Sequence, residues 1–125
     1  MFTHTLNWQY TASGNTESQN LTVQADGEDN RDITVAALAA DYLVAYVLDY
    51  SQCKGVFILA DADMTLETNS SSAPDQTISL TANVPVAWVY GAGTCPITAD
   101  ITSLYVTSTA GGTLKIRTLV DSTVA

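Results

Sequence analysis

Asp61 and Asp63 are the side chains best spaced for chemistry in this chain. In the alternating stretch Asp61-Ala62-Asp63-Met64-Thr65-Leu66-Glu67-Thr68-Asn69 they would project from the same side of a strand. Two carboxylates so placed can hold a cation or share acid and base work. The same spacing also describes solvated acids flanking a core strand, and that reading is preferred because nothing between Asp61 and Tyr90 looks catalytic. Asp26, Glu28, Asp29 and Asp32 offer oxygen ligands at short spacing, without the twelve-residue calcium-loop pattern and its terminal Glu. His4 is the single histidine, and near a terminus it is a poor ligand or base, which closes the usual Ser-His-Asp route. Cys53 and Cys95 have no CxxC and no neighbouring His. They read as two buried free thiols or as one long-range disulfide, a choice only geometry can make.

No GxGxxG, GxxxxGK, HExxH or GxSxG occurs in the sequence. Gly91 and Gly93 make a turn, since neither a preceding parallel strand nor a following helix would build a phosphate cradle. Asn20-Leu21-Thr22 and Asn69-Ser70-Ser71 match the glycosylation acceptor, which matters only for a secreted chain. No catalytic residue, cofactor or metal is therefore expected. Trp8, Trp88, Tyr42, Tyr46, Tyr90 and Tyr105 could form a stacking platform for a sugar, but rings of this kind more often anchor a core or a subunit contact.

The elements that must position these groups are strands. Leu6, Trp8 and Tyr10 alternate with polar residues; Ala12 to Asn20 reads as a turn; Leu21, Val23 and Ala25 alternate again. An acidic loop from Asp26 to Asn30 follows, with Gly27 supplying positive φ, and Ile33 and Val35 mark a short strand. Ala36 to Ala40 favours a helical turn by propensity, and residues 42 to 49 favour a strand with apolar side chains on both faces, hence a central position or a subunit contact. Ser51 to Gly55 turns into the strand Val56 to Leu59. Alternation then places strands at Met64 to Thr68, Ile78 to Ala82, Val84 to Tyr90, Ile101 to Thr107 and Leu114 to Val120, with Pro85 at a strand start, an edge or a bulge. Leu66 and Trp88 are expected core anchors. Lys115 and Arg117 share the outward face of the last strand, where they would protect an edge or meet a neighbouring subunit. Ser122 to Ala125 reads as a loose tail.

About nine or ten short strands and under about 15% helix predict one all-β domain over residues 1–125, an antiparallel β-sandwich. The chain has 125 residues with 13 acidic groups against 4 Lys plus Arg, net −9. Such a chain lacks the cations that a phosphate backbone demands, so direct nucleic-acid binding is not expected. Neither a basic-then-apolar leader nor a run of about 20 apolar residues is present, which predicts folding in a cytosol with no membrane span.

The runs Ala60 to Asn69, Pro74 to Leu80, Val86-Ala87-Trp88, Ile101 to Thr107 and Leu114-Lys115-Ile116-Arg117 resemble small virion proteins encoded in the structural modules of tailed bacteriophages, a likeness spanning residues 33 to 121. The resemblance implies a jelly-roll-like sandwich that decorates or cements a capsid, often as a trimer, or belongs to the connector, tail or fibres. Its partners would be the major capsid protein or other virion proteins, and it would assemble in the host bacterial cytoplasm. Tyr42, Tyr46, Tyr105, Lys115 and Arg117 are the expected interface residues, and a glycan-binding module is the alternative.

Overall fold

The computed structural model describes residues 2–122. In that span the chain forms ten strands and a single turn of 3-10 helix: β1 (Phe2–Ala12), β2 (Asn15–Ala25), β3 (Gly27–Val35), β4 (Ala39–Val44), the 3-10 turn (Tyr50–Gln52), β5 (Cys53–Ala60), β6 (Met64–Thr68), β7 (Thr77–Leu80), β8 (Val86–Val89), β9 (Leu104–Ser108) and β10 (Gly112–Val120). The protein is all-β, with three antiparallel sheets. β1 and β2 make a hairpin of their own. The remaining eight strands pair from the outside inward: β3 with β10, β4 with β9, β5 with β8, β6 with β7. Two further pairings, β10 with β5 and β9 with β6, join them into four-stranded sheets of order β3-β10-β5-β8 and β4-β9-β6-β7.

Period-two alternation explains the core. Leu114 and Ile116 of β10, with Val56, Ile58 and Ala60 of β5, belong to the same buried cluster as Met64 and Leu66 of β6 and Leu104 and Val106 of β9. Both four-stranded sheets thus contribute to one core, each large aliphatic side chain adding about 1.5–3 kcal/mol by leaving water. Three buried hydroxyls keep partners: Thr68 donates to Gln76 O at 3.3 Å, Ser108 to Asp63 O at 2.9 Å, and Thr118 Oγ1 accepts from the Tyr46 phenol at 3.2 Å. Leu66 and Trp88 are both buried, as the alternation requires.

Several local expectations are corrected. The first turn is only Ser13-Gly14, with φ of 51° and 82°, and Ala12 faces Asn15 across it. Two successive left-handed residues give the tight reversal that matches strand twist, so Thr16 to Asn20 run as strand. The acidic stretch from Gly27 to Asn30 is also strand, and Gly27 is not at positive φ. Its lack of a side chain answers to packing, since a Cβ there would lie 2.9 Å from Val120 Cγ2. Ala36 to Ala40 does not wind into a helical turn. Leu38 takes φ of 62° and donates its N–H to Thr109 O at 2.9 Å, so a long-range bond overrides alanine's local preference.

The strand expected over 42 to 49 stops at Val44 and lies at an edge of its sheet. Leu48 forms an isolated bridge with Ile101, and β9 starts only at Leu104. The turn expected from Ser51 to Gly55 is the 3-10 turn, already finished where β5 starts at Cys53. β7 ends before Ala82, while Val84 and Pro85 precede β8, an edge strand. β10 runs between β3 and β5, so Lys115 and Arg117 guard no edge. Ser122 is tied down, its N–H donating to Asp26 Oδ1 at 2.9 Å; the rest of the expected loose tail, Thr123 to Ala125, lies outside the described residues.

Candidate functional site

Asp61 and Asp63 fasten their turn to neighbouring elements. Asp61 and Asp63 occupy the turn between β5 and β6, outside any strand. Asp61 Oδ1 accepts the Thr113 N–H at 2.8 Å, and Asp63 Oδ1 accepts the Ala82 N–H at 2.8 Å. Each carboxylate is therefore engaged by a backbone donor from another element, Asp61 by the start of β10 and Asp63 by the turn after β7. The other acidic group is dispersed in the same way. Asp26 receives both the hydroxyl and the N–H of Ser122, bonds that hold its carboxyl below the usual range. Glu28 meets His4 at 3.2 Å, Asp29 meets Arg31 at 2.9 Å, and Asp32 meets Arg117 at 2.7 Å. Among the described residues no three His, Cys, Asp or Glu side chains gather so as to hold a metal ion.

One end of the molecule is pinned by two amides that the alternation does not single out. Asn69, at φ of 69°, donates to Asp75 Oδ2 at 2.7 Å and to Asp100 O at 2.8 Å, and its Oδ1 accepts the Thr102 N–H at 2.7 Å. Gln76 donates to Pro96 O and accepts the Thr98 N–H at 3.1 Å. Asp100 in turn accepts the Tyr50 N–H at 2.9 Å. The loops after β4, β6 and β8 are thereby fastened to one another. The glycosylation pattern at Asn69 thus coincides with an amide already engaged in four loop-fixing bonds, the fourth from the Thr102 hydroxyl. Its only sequence signal is an Asn at a strand end followed by serines, a turn signature.

The five expected interface residues are not brought together. Tyr46 is 3% exposed and belongs to the core, so it offers no surface, because its ring faces inward where its hydroxyl meets Thr118. Arg117 is committed within the chain: its guanidinium bonds Asp32 Oδ1 and also donates to Arg31 O at 2.9 Å. Lys115 and Arg117 lie on the outward face of the sheet β3-β10-β5-β8, in the rows Asp32–Lys115–Leu59 and Asn30–Arg117–Phe57. Tyr105 is on the outward face of the other sheet, in the row Leu43–Tyr105–Glu67–Thr77. Tyr42 is exposed at the β4 edge.

What the β4 region does gather is bare apolar surface. Leu38, Leu43 and Val47 are 79%, 55% and 68% exposed, beside the exposed Tyr42 ring. The inward partners Val44, Tyr46 and Leu48 are buried. Within residues 42 to 48, Val44, Tyr46 and Leu48 thus cover the core, while Tyr42, Leu43 and Val47 are uncovered, on or just past a strand at the edge of its sheet. Asp41 lies near Glu67, whose carboxyl is held above the usual range by partial burial and by that like charge.

No family model matches the chain, and no curated protein or solved structure matches it.

Two further surfaces remain. Among the described side chains of the β1–β2 hairpin, Val23 and Ala25 at its base are buried; Asn15 to Asn20 are exposed throughout, and Trp8 is half exposed. Asn7 and Asn20, opposite each other, hydrogen-bond at 2.5 Å and help this arm hold its shape. At its base His4, Glu28, Arg117, Phe57 and Trp88 line a cleft of about 260 Å³. On the loop end, Tyr50 and Tyr90 border a second cleft with Ser51, Lys54, Thr94 and both cysteines, and the Lys54 ammonium stands 3.9 Å from the Tyr90 ring centre.

Burial gives the core an alkaline limit. It pushes the Tyr46 phenol from 10.0 up to about 12 and the Cys53 thiol from 9.0 up to about 12. The folded chain keeps both protons at a pH where the unfolded chain has released them. Stability is therefore full below about pH 9 and falls as pH rises from there to about 12. Thermal melts across this range should show a steadily falling Tm, and Tyr46→Phe should flatten the part of the fall above pH 10. A Tm constant from pH 9 to 12 would contradict the assignment.

Proposed function

We propose that this protein is a structural subunit of a tailed-bacteriophage virion that self-associates and decorates or cements the capsid surface. The observation that supports the self-association is the exposure of four apolar side chains on and beside the edge strand β4: Leu38, Tyr42, Leu43 and Val47. A closed ring of copies would cover them and leave no edge free to propagate. The nested pairing of β3 with β10, β4 with β9, β5 with β8 and β6 with β7 supports reading the two four-stranded sheets as a jelly-roll sandwich, an architecture hosted by viral capsid and lectin domains. That is support by fold analogy. The virion setting rests on the resemblance to phage structural proteins, and so does the expected number of three copies. Tail, connector or fibre attachment is the nearest variant of the same role.

Sedimentation equilibrium over micromolar concentrations tests the association. The wild type should form a discrete oligomer, while the double variant Leu43→Asp, Val47→Asp should be monomeric with an unchanged circular dichroism spectrum. Charging two anchors of an apolar contact should weaken association by about a hundredfold or more. With Arg117 engaged to Asp32, like-charge repulsion at net −9 dominates between copies, so association should weaken at low salt. Binding to purified expanded capsids tests the virion role. A wild type that stays monomeric and ignores capsids would overturn the proposal. A glycan-binding reading has its own observation, the exposed Tyr50 and Tyr90 rings flanking a cleft with Ser51, Thr94 and Lys54. Selective retention on a glycan array, lost in Tyr90→Ala, would favour it.

A further inference from the structure

Cys53 opens β5 and Cys95 lies in the long connection between β8 and β9, yet both line the same cleft. Three hydrogen bonds fold that connection back. The Tyr90 N–H donates to Lys54 O at 2.9 Å, the Ala92 N–H to Val89 O at 2.9 Å, and the Trp88 indole N–H to Gly93 O at 3.2 Å. Chain beyond Gly93 is thereby returned over the first residues of β5, where Cys95 borders the same cleft as Cys53, whose thiol donates to Gly55 O at 3.6 Å. Both thiols are free, Cys53 buried and Cys95 partly exposed.

We propose that Cys53 and Cys95 are a redox modification site, closed to an intramolecular disulfide by exchange with a small-molecule disulfide, which ties the β8–β9 connection to β5. Cys95 is the reachable partner and reacts first. Its thiol gives a proton to solvent, and the thiolate attacks the small disulfide, breaking that S–S bond, forming a mixed disulfide at Cys95 and releasing one small thiol. Cys53 then loses its proton and attacks the Cys95 sulfur, expelling the second small thiol. Two protein thiols are oxidised by two electrons, and one small disulfide is reduced to two thiols. Burial raises both cysteine thiols, so the exchange is slow at neutral pH and quickens as pH rises. This site does not depend on the proposed assembly role.

The test is incubation of the folded full chain with oxidised glutathione at pH 8 to 9, read by intact mass, thiol titration after denaturation, and peptide mapping. In the wild type both thiols should disappear together, with no retained glutathione, no cross-linked dimer, and a Tm that rises and returns on reduction. Cys53→Ser should stop at one glutathione on Cys95, and Cys53→Ala gives the same readout with a smaller change in the core. Glutathione retained on the wild type, disulfide-linked dimers as the main product, or a Cys95 that stays unmodified in both variants would each overturn the site.

Discussion

Replacing Leu66 with alanine is expected to lower the unfolding free energy by about 2–5 kcal/mol. Leu66 is 1% exposed at the middle of β6, with Ile78 opposite on β7 and Val106 opposite on β9. It also borders a small apolar void of about 10 Å³ shared with Val56, Ile58 and Ile116. Truncation enlarges a space that strands on both sides hold open, so the site cannot collapse around the smaller side chain. Urea unfolding should show a lower midpoint at unchanged slope, and Tm should drop by on the order of 10 °C. A loss below about 1 kcal/mol in the monomeric domain would mean that Leu66 is not the anchor described.

Gly111→Ala should cost as much, although Gly111 sits in a turn. Its φ of +71° is left-handed, and an added Cβ would stand 2.5 Å from Ala37 N and 2.7 Å from both Ala36 C and Val35 O. Those are backbone atoms, which cannot swing away as the tip of a side chain can. The left-handed conformation costs a non-glycine residue about 1–2 kcal/mol. Forced overlap adds about 1–3 kcal/mol, so the sum is on the order of 2–5 kcal/mol. Gly14→Ala is the matched control, with φ of +82° and no atom within 4 Å of the new methyl. It should cost only the conformational part, about 1–2 kcal/mol. Equal losses at the two sites would show that the close approach of the β9–β10 turn to the β3–β4 connection is not there.

The all-β class and most strands were legible because burial here follows period two closely. Met64, Leu66 and Thr68 are buried while Thr65 and Glu67 are not, and Leu104, Val106 and Ser108 behave likewise. What alternation could not supply was pairing. Lys115 and Arg117 look like edge guards in the sequence, and only the placement of β10 between β3 and β5 shows that they are mid-sheet. The run from Ala36 to Ala40 misled for a related reason, since a bond from Leu38 to Thr109 outweighs five residues of local preference. Tyr46 and Tyr42 share a parity, yet one is core and the other exposed, because Tyr46 lies past the end of β4 where the chain crosses toward Thr118. The apolar strip itself was visible as a two-sided pattern. Whether it was central or uncovered depended on which strand became the edge.

The placement of β10 also bears on how the chain reaches this structure during synthesis. Gly27 of β3 faces Val120 of β10, so the first strand of that sheet waits for the last one before it has its neighbour. Until β10 leaves the ribosome, β3 and β5 have a gap between them, each with an open row of peptide donors and acceptors. Closing a sheet across such a span costs loop entropy before any contact repays it, which puts folding in the slow range of about milliseconds to seconds. The nascent chain therefore spends its vulnerable period with two unsatisfied inner edges. Lys115 and Arg117, carried in on the strand that fills the gap, place charge on a segment that would otherwise be an apolar, aggregation-prone β sequence while it is still unpaired.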